Sequence, residues 1–571
     1  MTSLSMIGDT LSSLEPQHAS MLPENSIDLD GNQDMAKPAA KIAPFPHSEP
    51  VSQNSRDIVK GHFSNELVFG VVGFAGSGSS TIAVQMKALL ESEQLRGGSF
   101  VVCVIKTRSL LRTWAENNRI EFDNNIDEES IDSVVALQNL GNRLREHHED
   151  AAAAARLLIE EIRKERAAAT NTNYPTPHPV MPDGTRRAYI LDSIKHPAEV
   201  ELLRKVYGNS FALIGVVCDE EIKQKRLHSK FTGSGIKQID AFMKDDFKSI
   251  HPFGQRVGKT FYLADFYVDN SVERTAEHPD KNWEVSEVLS RLIKIVTHTE
   301  IVRPDAHETA MYFADCARLS SACLSRQVGA ALVDANGSLV ATGTNETPRA
   351  GGGVYGESFL PEKDDYRCAF HPKPGRKHCH NNEQQQQIID EVLKKFIDSF
   401  PGLQDKREEI KDILQSSRIG GLVEFSRAIH AEMDALLSAA RQGVSPKGAR
   451  LFVTTFPCHY CARHIVTAGV DEVQFIEPYP KSKALELHDD AITTRRLEWT
   501  PPSAGGNQVL FTPFTGVAPQ LYRRAFMKDR DLKDDATGTK RIGEPDWGSP
   551  WETTKLSYPE LELAIMPIQE P

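Results

Sequence analysis

The chain of 571 residues has no excess of positive charge: 66 Lys and Arg stand against 79 Asp and Glu, for a net charge of −13. Coating a polynucleotide needs a broad basic surface, so that class is disfavoured, although a small basic pocket for one nucleotide is not. Aromatic residues make up only 7% of the chain, few for platforms that stack the bases of a single strand. No uninterrupted apolar stretch reaches the length that spans a bilayer. The first twenty residues lack the basic start and apolar middle of a secretory signal. Eight cysteines in so long a chain are no disulfide framework, and two of them stand in a Cys-x-x-Cys. These absences predict a reduced, cytoplasmic, metal-binding protein with no membrane segment.

What is present is too long for one core, so two or three domains are expected. Residues 1–60, rich in Ser, Pro, Asn, Gln and Asp without periodicity, read as a flexible tail. Leu67–Val72 is an apolar run suited to a buried parallel strand. It leads into Gly73-Phe74-Ala75-Gly76-Ser77-Gly78-Ser79-Ser80-Thr81 and then a helix. Strand, glycine loop and helix are the setting in which backbone N–H groups converge on a phosphate. The glycine spacing fits the P-loop pattern, but Ser79 stands where the phosphate-reaching lysine belongs. Further strands are expected at 99–106, 189–192, 211–218 and 260–268, with a helix at 150–169. Residues 61–300 thus read as a doubly wound parallel sheet of P-loop kinase-like type. Two readings of Gly73, Gly76, Gly78, Ser79, Ser80 and Thr81 stay open: a nucleotide or phosphate site, and a relic of the fold. Asp192, at a strand end, is either a metal-supporting acid or a solvated one.

The second domain is expected at 301–528. It offers a helix at 308–324, a hairpin around Asn336-Gly337, an insertion at about 351–421 with one long helix at 388–415, and the strands 449–456 and 472–477. A helix is expected at 519–528 and an extended tail at 529–571. Within the insertion, Cys368, His371, His378, Cys379 and His380 suggest either a second zinc or a loop with exposed histidines.

Two short segments carry the chemistry. Ile429–Leu437 contains His430 and Glu432 two apart at a helix start, and Phe456–Cys461 reads Phe-Pro-Cys-His-Tyr-Cys. Together they form H-x-E…P-C-x-x-C, the pattern that marks zinc nucleobase deaminases. A catalytic zinc takes three protein ligands and keeps a fourth position open. His430, Cys458 and Cys461 are those three, and Glu432 is the proton carrier that does not ligate.

Ser325–Ala330, Gly343–Arg349 and the two zinc segments together resemble the deoxycytidylate deaminase family. That resemblance implies a cytidine-deaminase-like α/β/α sandwich, a phosphate-facing Arg326 and a sugar- or base-holding Asn345. A surface arginine and a plain turn residue are the alternatives at those two positions. With the lysine-less loop, Asp192–Pro197, Glu477–Ala484 and Phe514–Pro519, the chain further resembles the bacterial two-domain anti-phage dCTP deaminases. This implies conversion of dCTP, and of dCMP, to the uracil nucleotide, depletion of dCTP during infection, and a homo-oligomer. A separate reading is a regulatory switch, in which the P-loop half senses a nucleotide or an RNA inhibitor and restrains the deaminase. The runner-up is a deaminase of cytosine or adenine within RNA or single-stranded DNA, and a third reading is a nucleotide kinase with an accessory zinc domain.

Overall fold

The computed structural model describes residues 64–562 apart from residues 96, 123–129, 248, 250, 272–282, 357–364, 371–378, 418, 423–424, 497–498, 529–531, 541–558 and 560–561. The tail read at 1–60, most of that read at 529–571, His371 and His378 lie outside the described residues.

In chain order the first part runs β1 (Glu66–Gly73), α1 (Ser79–Leu90), β2 (Val101–Lys106), α2 (Thr107–Asn117), α3 (Ile131–His147), α4 (Ala153–Ala169), β3 (Arg187–Asp192), α5 (Pro197–Tyr207), β4 (Phe211–Val217), α6 (Glu220–Lys230), α7 (Ile236–Phe247), α8 (Val257–Tyr262), β5 (Phe266–Asp269) and α9 (Trp283–Thr297). Then come α10 (Ala306–Leu319), β6 (Gly329–Val333), β7 (Leu339–Thr344), α11 (His380–Ser399), α12 (Arg407–Ser416), α13 (Ala431–Arg441), β8 (Arg450–Thr455), α14 (His459–Ala468), β9 (Glu472–Glu477), α15 (Ala484–Leu487), β10 (Ile492–Thr493), β11 (Val509–Pro513), β12 (Gly516–Val517) and α16 (Pro519–Phe526). Among the described residues no helix is long and apolar enough to cross a membrane.

The strands form two six-stranded sheets, ordered β12-β5-β4-β1-β3-β2 and β10-β11-β9-β8-β6-β7. In the first sheet only β12 is antiparallel. Every residue of β1, β3 and β4 is buried, as expected where both faces are covered by helices. β1 lies between β3 and β4, so chain order reverses there. Crevices at the carboxyl end of such a strand are where open α/β sheets place ligands. The glycine loop follows β1.

In the second sheet β6 and β8 sort their side chains by the two-residue period of a strand. Ala330, Leu332, Leu451 and Val453 face the core that also holds the α13 and α14 residues Ala435 and Cys461. Ala331, Val333 and Phe452 face α10, in a core continuous with that of the first sheet, including Val68, Tyr189 and Tyr267. One hydrophobic cluster therefore touches both sheets, and each sheet also has a cluster of its own. The described residues cluster as one compact unit.

Several expected elements are shorter or different. The strand expected at 260–268 is a helix, α8, followed by the short β5. Thr260 donates its hydroxyl to the Arg256 carbonyl at 2.9 Å within that helix, and only Phe266–Asp269 reaches the sheet. The single helix at 388–415 is two helices, because Pro401 starts a 3-10 turn between them. The helix at 308–324 begins at Ala306, capped by Asp305, whose carboxylate accepts from Glu308 N at 2.7 Å. Pro559 and Glu562, in the stretch read as an extended tail, are buried.

Candidate functional site

α13 lies so close to β7 that only glycine fits between them. A Cβ on Gly343 would stand 2.1 Å from Ala431 O and 2.3 Å from Ala435 N. Gly343→Ala is therefore expected to push the helix off the strand, at about 1–3 kcal/mol or more. A lower melting temperature with reduced zinc content would show it, and wild-type values for both would refute it.

The start of α13 is laced to the strand it lies on. Ile429 N donates to Glu346 O at 2.9 Å, and Thr344 N donates to Asp434 Oδ2 at 3.1 Å. His430 is the N-cap, with extended backbone, so its side chain leaves the helix at its very end. Glu432 follows in the first turn and is 4% exposed. Cys458 caps α14 in the same manner, its sulfur accepting from Cys461 N at 3.5 Å. The turn before it is pinned by Phe456 N to Glu477 O at 2.7 Å and by Ser482 Oγ to Pro457 O at 2.8 Å.

These two helix starts bring three metal donors together. His430 Nδ1 lies 3.3 Å from Cys458 Sγ and 3.3 Å from Cys461 Sγ. All three donor atoms lie within 4.8 Å of one another, and no other such cluster occurs among the described residues. A tetrahedral ion with the usual Zn–N and Zn–S bonds places its N and S ligands about 3.5 Å apart. The donor set thus fits zinc in both chemistry and spacing.

Without metal, the donors share their protons. Cys458 is pushed down to about 4, first by hydrogen bonding from Cys461 and then from His430. His430 is raised to about 9, mainly by that bond to Cys458. Cys461 is raised well above the thiol range by its bond to Cys458 and by burial. Burial pushes Glu432 up to about 7, with His430 opposing. A thiolate at a helix N-terminus is the form zinc requires.

A cavity of about 250 Å³ opens onto the ligands, walled by Ser426, Ala428, His430, Met433, Tyr460, Cys461 and His464. Sequence reasoning passed over Met433 and His464. Their spacing of three from His430 and from Cys461 could have flagged them, since such residues share a helix face.

Asn345 is buried and holds the turn ahead of β6. Its Oδ1 accepts from Val328 N at 2.6 Å, and its Nδ2 donates to Arg326 O at 2.5 Å. Arg326 is half-exposed, 3.4 Å from Glu477 Oε2 and 5.6 Å from the Tyr479 ring centre. Glu477 also accepts from Thr455 Oγ1 at 3.1 Å. The Arg326 turn and the zinc turn are thus joined through one carboxylate that sequence reasoning did not single out. Of the insertion residues, Cys379 caps α11 with its sulfur 3.5 Å from Ser325 Oγ. His380 Nδ1 lies 3.8 Å from Glu383 Oε2.

At the glycine loop, Gly76 and Gly78 adopt positive φ. A Cβ on Gly78 would meet Asn270 Nδ2 at 2.3 Å. Gly78 caps α1. Ser80 Oγ donates to Asp192 Oδ2 at 2.7 Å, so Asp192 turns to the loop rather than to solvent. The buried carboxylate of Asp246 accepts from Ala75 N at 2.8 Å and from Lys195 Nζ at 3.0 Å. Lys195 also reaches the Gly73 carbonyl at 3.4 Å. A lysine from another segment therefore stands at the loop, in the absence of one at position 79.

A family model, "Cytidine and deoxycytidylate deaminase zinc-binding region", matches residues 304–477. ComE operon protein 2 of Bacillus subtilis is 39% identical over 75 residues, 13% of this chain and 40% of that protein. The deoxycytidylate deaminase of Enterobacteria phage T2 is 27% identical over 179 residues, 31% of this chain and 81% of that protein. A dCMP deaminase structure from the cyanophage S-TIM5 is 19% identical, covers 37% of this chain and 100% of its own, and superposes with a TM-score of 0.20. The two cysteines and the imidazole gathered at two helix starts thus lie within residues 304–477, which match the zinc-binding region of the cytidine and deoxycytidylate deaminases.

Proposed function

We propose that the chain is a zinc-dependent hydrolytic deaminase of free deoxycytidine nucleotides, converting dCMP and dCTP to dUMP and dUTP with release of ammonia. The observation that carries this reading is the gathering of His430, Cys458 and Cys461 around one point, with the buried Glu432 two residues from His430. Zinc, when bound, supplies the Lewis acidity that makes water a nucleophile near neutral pH. Glu432 takes a proton from the attacking water and delivers it to the ring nitrogen beside the attacked carbon. It then passes a proton to the departing amine, so that water and substrate yield a uracil nucleotide and ammonia. The cavity walled by Tyr460 and His464 takes the base.

Arg326 meets a phosphate in this reading, which then competes with Glu477 for the guanidinium. The carboxamide of Asn345 has one N–H and one lone pair left beyond its two bonds to the turn, and these suit a sugar hydroxyl. Residues 61–300 form a P-loop kinase-like domain whose loop, Gly73–Thr81, holds a regulatory nucleotide or its phosphates and does not transfer them. Depletion of dCTP in anti-phage defence, cytoplasmic location, a homo-oligomeric assembly and restraint by a nucleotide or RNA belong to the same proposal.

Ammonia release from each dNTP and its monophosphate, with and without a zinc chelator, tests it. Turnover confined to dCMP and dCTP, and lost with chelator, is expected. Release only from RNA or single-stranded DNA would overturn it in favour of the polynucleotide reading. Equilibrium binding of ATP and dNTPs to the Glu432→Gln protein tests the loop.

A further inference from the structure

α8, a helix of six residues, is one of the elements that touch both lobes, lying against β1 and β9. Its first end is tied to the glycine loop. Arg256 N, at its N-cap, donates to Lys195 O at 3.0 Å. The ammonium of that same lysine touches Gly73 O and Asp246, and Asp246 takes the Ala75 N–H. Two ring contacts reinforce the tie. Phe74 of the loop lies 5.1 Å from Phe261 and stacks on Phe247 at 5.7 Å. Gly258 is pressed so closely on Phe247 that a Cβ would stand 2.9 Å from its ring.

The other end of α8 faces the zinc lobe. The Arg318 guanidinium lies 5.8 Å from the Tyr262 ring centre. Arg318 in turn backs onto Gly329, whose Cβ position is 2.4 Å from Arg318 N. Gly329 directly follows the Arg326-Gln327-Val328 turn. Tyr262 is also within electrostatic reach of Asp315, Glu477 and Arg326. A second track leads to the zinc ligand itself. Phe261 lies 5.1 Å from Tyr267, Tyr267 lies 6.2 Å from Phe514, and Phe514 N donates to Phe475 O at 2.8 Å. Phe475 meets Phe456 edge-on at 4.8 Å, two residues before Cys458.

We propose that α8 is a positioning element for the substrate face of the zinc site, and that the seating of Asp246 in the glycine loop sets its placement. The inference rests on the deaminase reading and adds its regulation. The two states are defined by Asp246: bonded to Ala75 N and Lys195, or displaced. An anion that takes the Ala75 N–H in its place binds only the second state, and a difference in affinity between states is what shifts an equilibrium. Spatial intermediacy alone does not establish such a link; non-additivity between its two ends does.

The experiment is a double-mutant cycle on the full chain with Asp246→Asn and Tyr262→Leu. Each variant is expected to raise KM for dCMP about 5-fold or more, with zinc content and kcat near wild type. The double variant is expected to match the larger single one. Fold-changes that multiply, or an unchanged KM in Asp246→Asn, would overturn the link. Hydrogen exchange at the Val328 amide, held by Asn345, gives a readout that needs no substrate. It is expected to quicken in Asp246→Asn, and unchanged exchange there also counts against the link. If the wild-type chain turns over no deoxycytidine nucleotide, the deaminase reading fails, and the exchange measurement still decides the coupling.

Discussion

Glu432→Gln is expected to lower turnover of dCMP about 100- to 10,000-fold, the range for removal of a positioned acid–base group, while zinc content stays at the wild-type level. Glutamine keeps the size of the side chain and its place in the first turn of α13, but its amide cannot carry a proton between water, ring nitrogen and amine. The expectation follows from geometry: Glu432 is almost fully buried two residues from His430, yet it is outside the donor cluster of His430, Cys458 and Cys461. Cys458→Ala makes the contrast, since it removes a donor and should lose metal and turnover together. Atomic absorption on both proteins, beside ammonia release, separates the two roles. Wild-type turnover by Glu432→Gln, or loss of zinc from it, would remove Glu432 from the mechanism.

The second large effect concerns a buried ion pair on α4. Arg166 and Glu562 are both fully buried and joined by two hydrogen bonds, 2.6 Å from Nη1 and 3.0 Å from Nη2. Glu66 takes Arg166 Nε at 2.8 Å, and Tyr207 donates to Glu562 at 2.7 Å. Glu562→Ala would strand a guanidinium in the core with one carboxylate instead of two. Breaking one side of a buried ion pair costs about 3–5 kcal/mol, so a clear fall in the urea midpoint is expected, with the zinc cluster unaltered in sequence. A loss below about 1 kcal/mol would mean that Glu562 is solvated, since exposed pairs are worth no more than that. Glu562→Gln should fall between the two, because it keeps acceptor and shape but not the charge.

The zinc cluster was legible in the sequence because its information is local. His430 and Glu432, and Cys458 and Cys461, are each set by one helix start, and a spacing of two or three residues there fixes direction as well as position. Asn345 was legible as a residue of interest, but its bonds to Val328 N and Arg326 O could not be read, because they depend on how the turn before β6 closes. The strand expected at 260–268 shows a different limit. Thr260, Phe261, Tyr262 and Val268 favour strands by residue type, yet the packing of Gly258 on Phe247 and of Phe261 on Phe74 holds the first of them in a helix. Local preference lost to tertiary contact. β12 is two residues long, too short for any periodic signal. Arg166 and Glu562 are 396 positions apart, and no pattern in one window could join them.

β12 pairs with β5 through Gly516–Tyr267 and Val517–Phe266, so the first sheet takes its last edge from a segment that follows the zinc lobe. On the ribosome this edge arrives about 250 residues after β5, some 12–50 s later at ordinary elongation rates. Until then β5 is a bare edge strand, and a bare edge is a template for pairing with other chains. The nascent first sheet thus keeps an open edge until the second sheet and both zinc-binding segments have been made.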